Sequence, residues 1–71
     1  MDYEPSVLGR TVRVLRAEQR VKQKDLAAYA RIAPVTLSRL EAGEIQDLQG
    51  ATVARIADRL GVSMDVFYAK I

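Results

Sequence analysis

The chain has 71 residues and a mass of 7.9 kDa, which is enough for one small domain with a limited hydrophobic core. Hydrophobic residues make up 49%, with no tryptophan and one phenylalanine, a composition that favours packed helices of Leu, Val, Ile and Ala over a sheet. Cysteine and histidine are absent, so disulfides, thiolate or imidazole catalysis and the usual structural zinc sites are excluded.

Charge is divided unevenly along the sequence, although the net charge is only +2. Residues 10–39 carry eight basic and two acidic side chains, a net charge of +6, whereas residues 40–71 carry three basic and five acidic ones, a net charge of −2. A basic half beside an acidic half indicates that one side of the domain binds a polyanion. On charge alone, a solvated surface without a partner stays an alternative.

The first predicted helix covers residues 6–18. Its apolar side chains recur every three or four residues, the period of an amphipathic helix: Val7, Leu8, Val12 and Leu15. Ser6 suits the N-cap because its hydroxyl can accept a hydrogen bond from a free backbone N–H of the first turn. The residues before it are acidic and contain no apolar run, so we expect no signal peptide or membrane anchor and, by default, a cytoplasmic location.

Two short helices follow, at residues 23–30 and 34–41. Three residues of the first share one apolar face: Leu26, Ala27 and Ala30. Pro34 fits the first position of the second helix, where the N–H that proline lacks would have no helical partner. Gly43 can then end this helix in the left-handed conformation.

Two further helices are predicted after a polar linker. Residues 48–60 carry an apolar stripe that ends at Gly61, and Asp47 is a candidate cap for this helix. Residues 63–69 are predicted as a short fifth helix, which Ser63 caps. No alternating strand pattern occurs, so the predicted fold class is all-α, with one compact five-helix domain over residues 1–71.

Two short helices joined by a tight turn form a helix-turn-helix unit, whose second helix can enter a DNA major groove about 12 Å wide. The residues that recur in a known order are Leu8, Gly9, Val12, Leu15, Arg16, Val21, Gln23, Leu26, Ala27, Leu37, Leu40, Glu41, Gly43, Ile56, Ala57, Leu60, Gly61 and Val62. In this order the chain resembles the lambda Cro and repressor-like, or XRE-type, family of helix-turn-helix DNA-binding domains over residues 7–68.

The resemblance implies that the domain reads the major groove of double-stranded DNA with the outer face of residues 34–41. Arg39 is the first candidate, because a guanidinium can bond O6 and N7 of one guanine together. The other expected base contacts are Pro34, Val35, Thr36 and Ser38. The alternative role for Arg39 is a surface ion pair.

The resemblance also implies contacts to the DNA backbone. Gln23 is expected to bond a phosphate at the positive end of its helix, although an ordinary exposed glutamine is the alternative. Arg16 and Glu41 match a pair that forms a salt bridge in the family and holds an arginine near the backbone. The expected phosphate contacts are Arg16, Lys22, Gln23, Lys24 and Arg31.

Three positions depart from the family's usual pattern. Ser or Thr is usual before each helix of the unit and Gly in its turn, where this chain has Lys22, Ala33 and Arg31. Each departure costs about 1 kcal/mol, through a missing cap or a positive φ. Lys22 and Arg31 add positive charge where the DNA backbone is expected to lie. We therefore hypothesise that these residues lower the stability of the free domain and strengthen its contacts with phosphates.

Apolar residues near the end of the chain provide a candidate dimer interface: Met64, Phe67, Tyr68 and Ile71. Domains of this class usually bind as two-fold dimers on half-sites about 34 Å apart. The alternative is that the apolar residues of this segment only close the core of the domain.

The function predicted from these features is that of a small transcriptional regulator, a repressor or operon controller that acts as a homodimer on a palindromic operator. The alternative is a protein-interaction module, antitoxin-like or an adaptor, that uses the same fold without base readout. An enzyme is disfavoured, because the chain lacks His and Cys and leaves little room for a pocket of the usual several hundred Å³. We expect no cofactor, metal, small-molecule ligand or membrane partner, and a nucleoid association when the protein is bound to DNA.

Overall fold

A computed structural model describes residues 7–68, which form four α-helices and one short 3-10 helix and contain no strand. The elements in chain order are α1 (Val7–Gln19), α2 (Gln23–Ala30), α3 (Pro34–Ala42), α4 (Gly50–Leu60) and the 3-10 helix (Met64–Phe67). The all-α class is therefore confirmed, although the last of the five predicted helices is a 3-10 helix and not an α-helix. The predicted Ser6 cap lies outside the described residues.

The core forms where the inner faces of the helices meet. α2 packs against both α3 and α4, and α1 packs against α3, α4 and the 3-10 helix. The buried hydrophobic side chains are Leu8, Val12, Val21, Leu26, Ala27, Ala30, Leu37, Leu40, Val53, Ile56, Ala57, Leu60 and Phe67. Val7, which was predicted to join the apolar stripe of α1, is instead 46% exposed, because it is the first residue of that helix and faces solvent.

All four α-helices end in the same way, with a residue in the left-handed conformation after the last turn. These residues are Arg20, Arg31, Gly43 and Gly61. In each case the next backbone N–H reaches back to a carbonyl five residues earlier, as from Ile32 to Ala27 at 3.0 Å. Gly43 and Gly61 behave as predicted. At Arg31 the chain keeps the left-handed turn (φ 63°, ψ 42°) although the residue has a Cβ.

Replacing Arg31 with Gly is expected to raise the free energy of unfolding by about 1 kcal/mol, because glycine adopts the left-handed conformation without a Cβ clash. Chemical denaturation of the free protein measures this change. Arg31→Ala is the matched control, since alanine removes the charge and retains the Cβ. An equal gain in both variants would show that charge, and not backbone conformation, limits stability at this position.

The second half of the chain departs from prediction at two helix starts. α4 begins at Gly50 instead of residue 48, with Gln49 at the N-cap and no side-chain cap. Asp47 does not cap α4, because its carboxylate accepts a hydrogen bond from the N–H of Leu48 at 2.8 Å, within the linker before that helix. The predicted fifth helix is a single 3-10 turn, too short to propagate as an α-helix, although Ser63 caps it by accepting from the N–H of Asp65.

Candidate nucleic-acid interface

The outer face of α3 is exposed to solvent. Pro34, Val35, Ser38 and Arg39 are all exposed, whereas Leu37, Leu40 and Glu41 on the inner face are buried. Thr36 is half-buried between the two faces, so its side chain is less exposed than the sequence predicted. α3 therefore presents a mixed apolar and polar strip with one cation on it.

A buried carboxylate joins the three helices of this region. Glu41, whose side chain is 5% exposed, accepts from Nε and Nη2 of Arg16, both at 2.9 Å. It also accepts from Nε2 of Gln23 at 3.2 Å. Nη1 of Arg16 donates to the carbonyl of Val21 at 3.0 Å. The network fixes the start of α2 and the guanidinium of α1 beside the second half of α3.

The same network leaves donors free towards solvent. A guanidinium has five N–H donors, of which three are used here, and the Arg16 side chain is 21% exposed. The hydrogen bond to Glu41 raises the pKa of Arg16 above its usual value. The Gln23 amide uses one of its two N–H donors on Glu41. Both side chains thus combine a structural bond with spare donors for an anion.

The start of α2 adds backbone donors to this cluster. Lys22 is the N-cap in an extended conformation and makes no side-chain cap, as the sequence predicted. The N–H groups of Asp25 and Leu26 both donate to the Lys22 carbonyl at 3.1 Å. The two N–H groups before them, on Gln23 and Lys24, lie in the first turn, where a helix provides no carbonyl partner. Together with the exposed ammonium groups of Lys22 and Lys24, they suit an anion.

The start of α3 has a different chemistry. Ala33 at its N-cap has no side chain that can cap, and Pro34 in the first turn has no N–H. The N–H of Thr36 already donates to the Ala33 carbonyl at 2.9 Å. Within α3 the N–H of Val35 is left without a helical partner, so this end offers mainly apolar surface and fewer anion donors than the start of α2.

The remaining predicted phosphate contact, Arg31, lies at the far end of α2. It lines an open cleft of about 420 Å³ with Tyr29, Ala54, Arg55 and Asp58. A cleft of this size was not expected in so small a chain. The hydroxyl of Tyr29 donates to Asp58, which raises the pKa of the phenol and ties α2 to α4. Sequence reasoning missed this bond and the Gln23–Glu41 bond, because each joins residues far apart in the chain.

The C-terminal dimer candidates separate into different environments. Phe67 is 1% exposed and packs in the core beside α1 and α4, which favours the alternative that it closes the core of the domain. Met64 is half-buried against the same core. Tyr68 is exposed, as is Val66, while Ile71 lies outside the described residues.

Comparisons with known proteins agree on one class of domain. A family model described as a helix-turn-helix domain matches residues 7–67. Two crystal structures of the clp gene regulator ClgR from Corynebacterium glutamicum are 32% identical to the chain and align with 90% of it. One has a TM-score of 0.75 and is covered over 83% of its length. The other has a TM-score of 0.80 and is covered over 68%.

No curated protein sequence matches the chain. Within residues 7–68, no helix combines the length and hydropathy that a membrane span requires. The same residues contain no group of three or more acidic side chains placed to hold a metal ion.

Proposed function

This chain belongs to the family of helix-turn-helix domains, and from that premise we propose that it is a transcriptional regulator that binds double-stranded DNA sequence-specifically. The observation that carries the proposal is the Arg16–Glu41–Gln23 network. It holds a cluster of hydrogen-bond donors suited to an anion, formed by Arg16, Gln23 and the start of α2, beside the outer face of α3. Phosphate contacts position a domain of this kind, and base contacts give it specificity.

Arg39 is the base-reading residue we propose first. Its side chain is exposed on α3, and no carboxylate lies within ion-pair distance of it among the described residues. A free guanidinium at this position supports readout of a guanine over the surface ion pair that the sequence left open. Pro34, Val35 and Ser38 share its face, and Thr36 lies at the edge.

We assign the phosphates to the start of α2. Arg16, Lys22, Gln23 and Lys24 surround that end of the helix. Arg31 lies at the opposite end of α2, and eight helical residues span about 12 Å, so Arg31 would bind a separate phosphate.

Changing Lys22 to Ser is expected to have opposite effects on stability and on DNA binding. A serine N-cap should raise the free energy of unfolding by about 1 kcal/mol, because the present N-cap makes no side-chain bond. The loss of one phosphate contact should weaken binding to all DNA sequences alike and reduce the slope of log K against log salt by about 0.9. Lys22→Arg, which keeps the charge, is the control. Unchanged affinity and salt slope in Lys22→Ser would remove Lys22 from the interface.

We further propose that the protein binds its operator as a homodimer and acts as a repressor or operon controller. Val66 and Tyr68 support a C-terminal interface, because both expose apolar surface beside the core-forming Phe67. Sedimentation at micromolar concentration, with and without operator DNA, tests this. The expected result is a dimer on the operator, and a single protein copy per operator would end the dimer proposal.

Competition binding tests the function itself against the alternative of a protein-interaction module. Binding to a labelled operator, recovered by selection from random duplex DNA, is measured with unlabelled operator and with random-sequence DNA as competitors. We expect the operator to compete about 10³-fold or more better than random DNA at physiological salt. Equal competition by both would favour a protein-interaction module.

A further inference from the structure

Three consecutive exposed apolar residues, which we call the apolar tip, lie at the start of α3: Ala33 at the N-cap, Pro34 and Val35. Val35 is 54% exposed, the largest exposure among the large hydrophobic side chains of the described residues. A run of three exposed apolar residues is unfavourable on a solvated surface unless it has a function. The apolar tip lies at the end of α3 that enters the groove first in this class of domain.

The apolar tip is poorly suited to a phosphate. Pro34 has no N–H, Ala33 has no hydroxyl, and the N–H of Thr36 is bonded to the Ala33 carbonyl. The start of α2 is the opposite case, with two lysines, an amide and two backbone donors in its first turn. The start of α2 is therefore the better phosphate site of the two helix ends, and the side chains of the apolar tip can make only apolar contacts.

An apolar contact in the major groove has one partner among the four base pairs, the 5-methyl group of thymine. Cytosine methylated at its 5 position presents the same group at the same place. We propose that the apolar tip reads the 5-methyl group of a pyrimidine, so that the protein prefers thymine or 5-methylcytosine over unmethylated cytosine at one position per half-site. This inference rests on the proposed function and deepens it.

The size of the effect follows from the methyl group itself. Removal of one methyl from water contributes enough free energy for about a fourfold change in affinity. Ser38 and Arg39 lie one turn further along the same face and carry hydrogen-bonding groups. Loss of the methyl should therefore weaken binding at one position and leave readout by Arg39 intact.

The test replaces each thymine of the selected operator, one at a time, with deoxyuridine, which lacks only the methyl group. We expect about a fourfold loss of affinity at one thymine per half-site and little change at the others. The Val35→Ser variant should bind the unmodified operator about fourfold more weakly and should lose its sensitivity to deoxyuridine at that position. Val14→Ser makes the same change at an exposed valine of α1, outside the proposed interface, and as the matched control it should keep the sensitivity.

A second arm places cytosine or 5-methylcytosine, each paired with guanine, at the sensitive position. The native protein should bind the methylated duplex about fourfold more tightly, and Val35→Ser should bind the two equally. Thermal melting of Val35→Ser shows whether this variant keeps its fold. We expect that it does, because the Val35 side chain is exposed. Two results would overturn methyl reading and leave the proposed function intact. One is sequence-specific binding by the native protein that deoxyuridine does not weaken. The other is a loss of affinity with deoxyuridine that is equal in the native protein and in Val35→Ser. Absence of any sequence preference overturns the proposed function as well.

Discussion

Removing the Arg16 side chain is expected to lower the free energy of unfolding by about 3–5 kcal/mol, because it leaves the Glu41 carboxylate buried without its cation. Glu41 is 5% exposed and would keep only the hydrogen bond from Gln23. A domain of this length has a total stability of roughly 4–11 kcal/mol. Arg16→Ala should therefore lose a large part of it and be partly unfolded at moderate temperature.

Removing the Glu41 side chain should lower the free energy of unfolding by less than removing the Arg16 side chain. Arg16 is 21% exposed, so in Glu41→Ala its guanidinium can turn towards water, whereas a buried carboxylate has no such route. Replacing both residues, as in Arg16→Met with Glu41→Leu, should recover most of the loss, since an apolar pair leaves no buried charge. Urea denaturation of the single and double variants measures the coupling between Arg16 and Glu41.

Arg13→Ala is the control, because Arg13 is exposed on the same helix. This variant should change the free energy of unfolding by less than about 0.5 kcal/mol. A similar small loss in Arg16→Ala would show that the pair is merely a surface interaction.

The second large effect is expected on DNA binding. Arg39→Ala should weaken binding to the operator by about 1–3 kcal/mol, roughly 5- to 150-fold, because a bidentate contact to guanine is lost. Binding to random DNA should change much less, and thermal stability should not fall, since Arg39 is exposed and unpaired among the described residues.

Equilibrium binding of Arg39→Ala to the operator and to single-base variants of it measures this effect. The Arg39→Ala protein should bind the operator and one of the single-base-substituted operators with equal affinity. The position of that base substitution identifies the base that Arg39 reads. Arg59→Ala, an exposed arginine on α4, is the matched control and should retain discrimination at every position. An equal loss for all sequences in Arg39→Ala would place Arg39 on the backbone and leave base reading to its neighbours.

Local signals in the sequence were sufficient to predict α2 and α3. Pro34 and Gly43 mark the ends of the second of these helices, and the spacing of Leu37 and Leu40 indicates its buried face. The chain's membership in the helix-turn-helix family confirms the unit as a whole. The signal was weaker at helix ends, where Asp47 had a suitable side chain but bonds the wrong N–H.

What the sequence could not provide depends on contacts between distant residues. The Gln23–Glu41 bond joins positions 18 residues apart, and the Tyr29–Asp58 bond positions 29 apart, so no local pattern indicates either. Phe67 is apolar near the chain end, and only its packing against α1 and α4 distinguishes a core residue from a dimer contact. The left-handed conformation of Arg31, by contrast, agrees with the sequence, because Arg31 occupies the turn position where the family usually has glycine.

The most direct test of the central claim, that the outer face of α3 reads double-stranded DNA, is selection of bound sites from random duplexes by the native protein and by Arg39→Ala in parallel. The native protein should enrich one short sequence, repeated in inverted orientation with centres about 34 Å apart if the protein is a dimer. Arg39→Ala should enrich the same sequence with its preference relaxed at one position per half-site. Failure of the native protein to enrich any sequence, with a stable fold under the same conditions, would contradict the claim.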